Sequence, residues 1–333
     1  VIPTSSVSRM GCSPTWSDCR PVPETGVSGA EAHEGEGGDP ERHSARGSDA
    51  PAVWKTQSRS CASRIVSGGR RMMDGVPDTL YIPLAARIYS TERFPDYFRD
   101  DAALKLKDRI PEGVTRGSSE YSFLASVARC YNADAMERDF VRRNGRSSIV
   151  HLGVGLETAY LRLSDLDAHF YDVDLPEVID LRKELLPSSE RETLIAGDLF
   201  DMRWADEVDR SLPVMILVLG VFQYYHEEQI LDAVKKMKRL FPGAELVFDA
   251  TTTDGLKYAA KYVRKTGNQS AAMYFAVDDA QAFCEMTETG YLECRPFFTD
   301  AREMLRGRVG FYTRLAMRVV DRDFRVKLIR LRL

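Results

Sequence analysis

Between Ser147 and Glu177 the chain reads SSIVHLGVGLETAYLRLSDLDAHFYDVDLPE, and this stretch constrains the fold more than any other. It opens on an apolar run, Ile149, Val150 and Leu152, of the length of a buried parallel strand. The run stops at Gly153-Val154-Gly155. Residues 156–166 set Leu156, Tyr160, Leu163 and Leu166 near one face, which predicts a helix. A second short strand is expected over His169 to Val173, ending on Asp174. The pattern is strand, glycine turn, helix, and a strand closed by a carboxylate.

Glycines let a backbone approach a ligand closely, and a following helix N-terminus offers unpaired N–H groups. An acid about 20 residues beyond the glycines suits a ribose with two free hydroxyls. The bland alternative is an ordinary tight turn. A full dinucleotide fingerprint needs a third glycine, and Glu157-Thr158 stand where it would fall. No GxxxxGK[ST] loop occurs. A cofactor with a ribose and no pyrophosphate therefore fits better than NAD, and S-adenosylmethionine leads the candidates.

The stretch sits within a longer alternation of strands and helices. Pro176 opens a helix to Leu186, with proline in its first turn. Glu192 to Ala196 is a third strand, followed by Gly197-Asp198-Leu199. Val214 to Leu219 is an apolar fourth strand, residues 227–241 an amphipathic helix, and Glu245 to Ala250 a fifth strand. Further on, helices are expected over 254–264, 278–289 and 303–320, with a turn at Gly267-Asn268. Leu292 to Phe298 reads as a sixth strand. Val326 to Leu333 alternates apolar and basic residues and reads as a final edge strand with a solvated basic stripe. The fold class is α/β: a doubly wound, mostly parallel seven-stranded sheet.

Upstream, residues 75–144 look helical. Pro83 stands near one helix start, Phe94-Pro95-Asp96-Tyr97 is a turn, and 122–143 is a long amphipathic helix carrying Arg129. Residues 1–72 differ: they are rich in Ser, Gly, Pro, Glu and Arg and show no periodicity. Such a segment buries too little to offset its ordering entropy, so a disordered tail is expected. The division expected is 1–72 as tail and 73–333 as one domain, with a helical cap over 73–145 and a Rossmann-like core over 146–333.

Composition excludes several classes. A net charge of −4 over 333 residues gives no basic excess for nucleic acid. The six cysteines make no CxxC pair or zinc-type cluster, so no metal is expected and the thiols read as free in a reducing, cytoplasmic setting. No apolar run reaches the ~18 residues of a membrane span, and no apolar h-region heads the chain.

HLGVGLETAYLRL and YDVDLPEVIDLRKELL resemble the signature segments of the leucine carboxyl methyltransferase superfamily, and most closely its tetracenomycin-type polyketide O-methyltransferase branch. GVPDTLYIPLAARIYSTERFPDYFRDD at 75–101, VARCYNADAMERDF at 127–140 and FPGAELVFDATT at 241–252 agree in order. The resemblance implies a class I S-adenosylmethionine-dependent fold whose helical cap shapes the acceptor pocket. It implies that Gly153, Gly155, Asp174, Leu175 and Gly220 line the cofactor. Arg129 would pair with the methionine carboxylate, as a guanidinium fork can, against the alternative of a solvated helix arginine. Asp198 would accept from the adenine amino group and Leu199 offer its backbone N–H; a helix N-cap is the other reading of Asp198. The fourth strand departs from the pattern. Relatives carry Ala-Glu-Gly there, and this chain has Val218-Leu219-Gly220, keeping the glycine and losing the acid.

Tyr224 and Tyr225 then face a small-molecule acceptor or fill the core. The implied reaction is methyl transfer to a hydroxyl or carboxyl oxygen. Methylation of a protein C-terminal carboxylate and a decayed, binding-only relative are the rivals. No catalytic residue is assigned. His226 is the only base worth nominating, against an exposed helix-start histidine, and neither acceptor identity nor oligomeric state is encoded legibly.

Overall fold

A computed structural model describes residues 80–116, 118–258 and 273–333. The expected tail over 1–72, the start of the family-like segment at 75–79 and the Gly267-Asn268 turn lie outside the described residues. So does most of the helix expected over 254–264, of which 253–258 are helical.

Among the described residues, three α-helices precede the sheet: α1 (Tyr81–Arg93), α2 (Asp101–Lys105) and α3 (Glu120–Asn144). Ser119 caps α3, accepting from Ser122 N while Ser122 Oγ accepts from Ser119 N. The strands are β1 (Ser147–Leu152), β2 (Ala168–Asp174), β3 (Glu192–Ala196), β4 (Val214–Val218), β5 (Glu245–Thr251), β6 (Gly290–Pro296) and β7 (Val326–Arg332). Between them run α4 (Ala159–Arg162), α5 (Pro176–Leu185), α6 (Glu227–Leu240), α7 (Ala280–Thr287), α8 (Thr299–Met304) and α9 (Phe311–Arg322).

The sheet has seven strands in the order β3-β2-β1-β4-β5-β7-β6. β1 to β5 are parallel, and β7 runs antiparallel to both β5 and β6. The order reverses between β1 and β4, where the crevice for ligands opens at the strands' carboxyl ends. The pleat sends Val214, Ile216 and Val218 into one core with α6 and α7, and Met215 and Leu217 into the other with α3. Both faces are covered, which is why β4 is continuously apolar.

Three expectations need correction. The helix over 156–166 shrinks to the single turn of α4. Residues 156–158 are held as loop instead, with the Leu156 carbonyl accepting from Arg87 Nη2 at 2.5 Å and the Glu157 carbonyl from Arg182 Nη1 at 2.7 Å. The helix over 303–320 is two helices, α8 and α9, broken where Gly307 takes φ +79°. β7 is not an edge strand: it lies between β5 and β6, and β6 is the edge. Two of its basic residues, Lys327 and Arg330, are buried and partnered, whereas Arg332 is exposed. Arg330 Nε donates to Glu245 Oε2 at 2.6 Å, and Lys327 Nζ donates to the Asp278 carbonyl at 3.0 Å. A sequence pattern of alternating charge says nothing about which neighbours the strand acquires.

A buried charge chain runs behind the sheet's switch point. His151 of β1 sits 2.8 Å from Asp172 Oδ1 through Nδ1 and 3.4 Å from Glu137 Oε2 through Nε2. Arg182 of α5 meets Asp172 and, at 2.7 Å, Glu192. Burial disfavours charge on His151, but Glu137 and Asp172 outweigh it and push its pKa up from 6.5 to about 10. Glu192 is pushed up to about 7, first by burial and then by Asp172. Both shifts have the same sign in linkage. Between pH 6.5 and about 10 the folded chain binds a proton on His151 that the unfolded chain releases, so stability falls as pH rises through that window. Glu192 acts likewise between 4.5 and about 7. The thermal midpoint should therefore fall steadily from neutral pH towards pH 10, and His151→Gln should flatten the upper part of that slope. A wild-type midpoint independent of pH across this range would contradict the assignment of charge to His151.

Candidate functional site

The carboxyl ends of β1, β2 and β4 converge on one cradle. After β1, Gly153 and Gly155 take φ +68° and +55°, values that favour glycine. A Cβ on Gly153 would lie 2.4 Å from Val221 Cγ2, so backbone and side chain approach more closely than any other residue allows. Gly153 N and Val154 N both donate to the Val173 carbonyl, which folds the turn back over β2.

Asp174 closes β2 and ties the turn down. Its Oδ2 accepts from Gly155 N and its Oδ1 from Leu175 N, each at 2.7 Å. Each carboxylate oxygen has a second lone pair for another donor. Burial raises the Asp174 pKa, and the two N–H bonds work against that rise.

The other side of the cradle is built by β4, β5 and α3. Gly220 takes φ +72°, and a Cβ there would lie 2.6 Å from Arg129 Nη1. Gly220 N donates to Asp249 Oδ1 at 2.5 Å, and Arg129 Nη1 donates to Asp249 Oδ2 at 3.2 Å. Burial disfavours the Arg129 charge, but the Asp249 carboxylate leads the partners that outweigh it, and the pKa is raised. Arg129 Nε is buried without a hydrogen-bond partner. The edge of the guanidinium that grips a carboxylate bidentately thus has an unmet donor. Arg129 is not the solvated helix arginine of the bland reading.

Asp198 holds a turn, its Oδ1 accepting from Phe200 N at 2.9 Å, and caps no α-helix. Leu199 is buried, and its carbonyl accepts from Trp204 Nε1 at 3.0 Å. Tyr225 stacks edge-on against Phe200, ring centroids 4.5 Å apart. Its phenol pKa is raised first by burial and then by the Asp198 and Asp174 carboxylates. Tyr224 is 38% exposed and acts electrostatically on Arg129, at the opposite side of the cradle. His226 is an exposed residue at the start of α6, its ring 4.5 Å from that of Tyr274.

A second ion cluster braces the glycine turn from the helical side. Arg87 of α1 donates to Asp100 Oδ2 at 2.9 Å and to Glu157 Oε2 at 3.1 Å. Arg162 of α4 reaches Asp134 through two bonds at 2.9 and 2.8 Å, Asp100 at 3.2 Å and Glu157 at 2.5 Å. Glu157, beside the place where a third glycine would fall, is thus an anchor. Its arginine partners hold its pKa well below the ordinary carboxylate value despite burial.

Sequence reasoning missed Asp249, Phe200, Arg87 and Arg182. Asp249 lay inside a family-like segment, but nothing local marks it as facing Arg129. Gly220→Ala is expected to deform the cradle twice over, through a left-handed backbone and through displacement of Arg129, at a cost of about 1–3 kcal/mol. Chemical denaturation of the variant checks this; an unchanged midpoint would show that Arg129 can move aside freely. Among the described residues, no cluster of His, Cys, Asp and Glu could hold a metal, and no helix is long and apolar enough to cross a membrane.

The glycines with positive φ, the carboxylate of Asp174 and the unmet donor on Arg129 fit a ribose-bearing cofactor with an amino-acid end. The leucine carboxyl methyltransferase family profile matches residues 80–238. The tetracenomycin polyketide synthesis O-methyltransferase of Streptomyces glaucescens is 26% identical over 199 residues, 59% of this chain and 74% of that protein. An S-adenosyl-L-methionine-dependent methyltransferase of Gibberella zeae is 27% identical over 203 residues, 55% of this chain and 68% of that protein. Among solved structures, magnesium protoporphyrin IX methyltransferase of Synechocystis aligns with a TM-score of 0.43 and 14% identity, covering 73% of this chain and 99% of that one. With its seven-stranded, mostly parallel sheet, the chain has the class I methyltransferase fold and is similar over residues 80–238 to the leucine carboxyl methyltransferase family.

Proposed function

We propose that the chain transfers a methyl group to a hydroxyl or carboxyl oxygen of a small molecule, with the cradle at the β1–β4 switch point as its site. The observation that carries this is the convergence of Gly153, Gly155, Asp174, Gly220 and Arg129 from separate elements on one crevice. The relatives named above supply the oxygen-directed, small-molecule part of the reading. S-adenosylmethionine, when bound, supplies a methyl group on a positively charged sulfur. The protein's work is then to orient the acceptor and exclude water.

In this reading Asp174 receives the ribose hydroxyls while Gly155 N and Leu175 N hold its oxygens in place. Asp198 and the Leu199 backbone flank the adenine, with Phe200 and Tyr225 as aromatic walls. Arg129 takes the methionine carboxylate. Tyr224, exposed beside Arg129, remains a candidate for touching the acceptor, whereas Tyr225 moves to the nucleoside side. A phenol or carboxylic acid needs at most a weak base, so the chemistry does not demand a dedicated catalytic base.

Calorimetric titration of S-adenosylmethionine and S-adenosylhomocysteine into the full chain tests the cofactor site. Incubation with phenols and carboxylic acids, read by mass spectrometry for a single added methyl group, tests the acceptor class. Micromolar cofactor binding with methylation of a small acid or phenol is the expected result. Binding with methylation only of a protein C-terminus would replace the acceptor assignment, and no binding by folded protein would replace the enzyme reading with that of a decayed relative.

A further inference from the structure

The position after the fourth strand is the apolar Leu219, yet the cradle is not without a carboxylate. The β4–β5 ladder pairs Val218 with Phe248, so the next register position sets Asp249 alongside Leu219, one strand over. Asp249 is 8% exposed. One of its oxygens takes the Gly220 N–H at 2.5 Å and the other takes Arg129 Nη1 at 3.2 Å. Arg129 spends only Nη1 on that bond, and its buried Nε has no partner.

We infer that Asp249 and Arg129 form a clamp for the zwitterionic end of the cofactor, with Asp249 accepting from the α-ammonium group while Arg129 grips the α-carboxylate. An α-amino acid presents one cation and one anion a single carbon apart, and this pair presents the complementary anion and cation in contact. The carboxylate has lone pairs left after its two bonds, and the guanidinium has its Nε donor left. Fixing Asp249 through Gly220 N ties the clamp to the glycine turn after β4. The Arg129–Asp249 contact also spares either charge from being buried alone, which is costly. This inference rests on the cofactor site proposed above and assigns a residue to its methionine end.

The test compares S-adenosylhomocysteine with its deaminated analogue, which lacks only the ammonium group, by calorimetry on the full chain. The wild type should prefer the amino ligand roughly tenfold to a hundredfold, and Asp249→Asn should abolish that preference, over and above any loss that its NH₂ facing Arg129 Nη1 imposes on both ligands alike. The asparagine carbonyl still accepts from Gly220 N, so the fold should survive; Asp249→Ser, read the same way, serves if it does not. Equal losses for both ligands would make Asp249 a mere support of the Gly220 turn and overturn the inference, as would unchanged binding of both. Asp174→Ala is the parallel control, expected to weaken both ligands alike. Should wild type bind neither ligand, or Asp174→Ala lose neither, the cofactor site itself falls and the clamp with it.

Discussion

Asp174→Ala should weaken cofactor binding by about 3 kcal/mol or more, on the order of a hundredfold, the largest effect expected of any single side chain in the site. The magnitude comes from counting what one carboxylate does. It fixes the Gly155 and Leu175 N–H groups with separate oxygens at 2.7 Å each, and in the proposed site it also accepts from the ribose. Alanine removes the ribose acceptor and leaves both N–H groups without partners, so the glycine turn loses its tie to β2 as well. Asn is no rescue. Its single carbonyl oxygen can satisfy one of the two N–H groups, and its NH₂ would point donor to donor at the other. Calorimetry with S-adenosylhomocysteine checks this, and near-wild-type affinity in both variants would remove Asp174 from the site.

Arg162→Ala should lower stability by about 3–5 kcal/mol, because deleting one partner of a buried ion cluster strands the others. For a chain of this size that is a fall in thermal midpoint of roughly 10 °C. The Arg162 side chain is 7% exposed and holds Asp134, Asp100 and Glu157 together. Asp134 already has its pKa raised, burial outweighing Arg162, so without the guanidinium it would take up a proton rather than remain charged. Lys should recover only part of the loss, since an ammonium cannot form the two parallel bonds to Asp134. The exposed Lys107–Glu92 pair is the contrast. At 57% and 41% side-chain exposure, breaking it should cost well under about 1 kcal/mol. A midpoint loss of only a degree or two in Arg162→Ala would mean that the cluster reorganises around the gap.

The two effects act on one loop from opposite sides. Asp174 holds Gly155 through its N–H, and Arg182 holds the same residue's carbonyl at 2.9 Å. Arg87 and Arg162 hold Glu157 two residues later. Destabilising the cluster should therefore reach the glycine turn, and Arg162→Ala is expected to weaken cofactor binding as well as folding.

Much of the architecture was legible from residue order. The apolar runs of β1 and β4 fill both cores, the period-two and period-3.6 patterns separate strands from helices, and Pro176 opens α5. The turn glycines and Asp174 could be singled out because their roles are local: a positive φ, and a carboxylate at a strand end. Where reading went astray, a neighbour decided. Residues 156–158 have helical spacing but are pinned as loop by arginines from α1 and α5. VKLIRLRL looks like an edge strand and lies inside the sheet, where Glu245 pairs with Arg330 and the Asp278 carbonyl accepts from Lys327.

The chain's own order of residues thus determined the layers, the switch point and the glycine cradle, since these follow from hydrophobic period and backbone freedom. Only the tertiary structure set Asp249 against Arg129, 120 residues away, and seated Glu157 between two arginines. Charge complementarity acts through space over a few ångströms, and nothing in the spacing of residues along a chain records which distant side chains folding will bring within that reach.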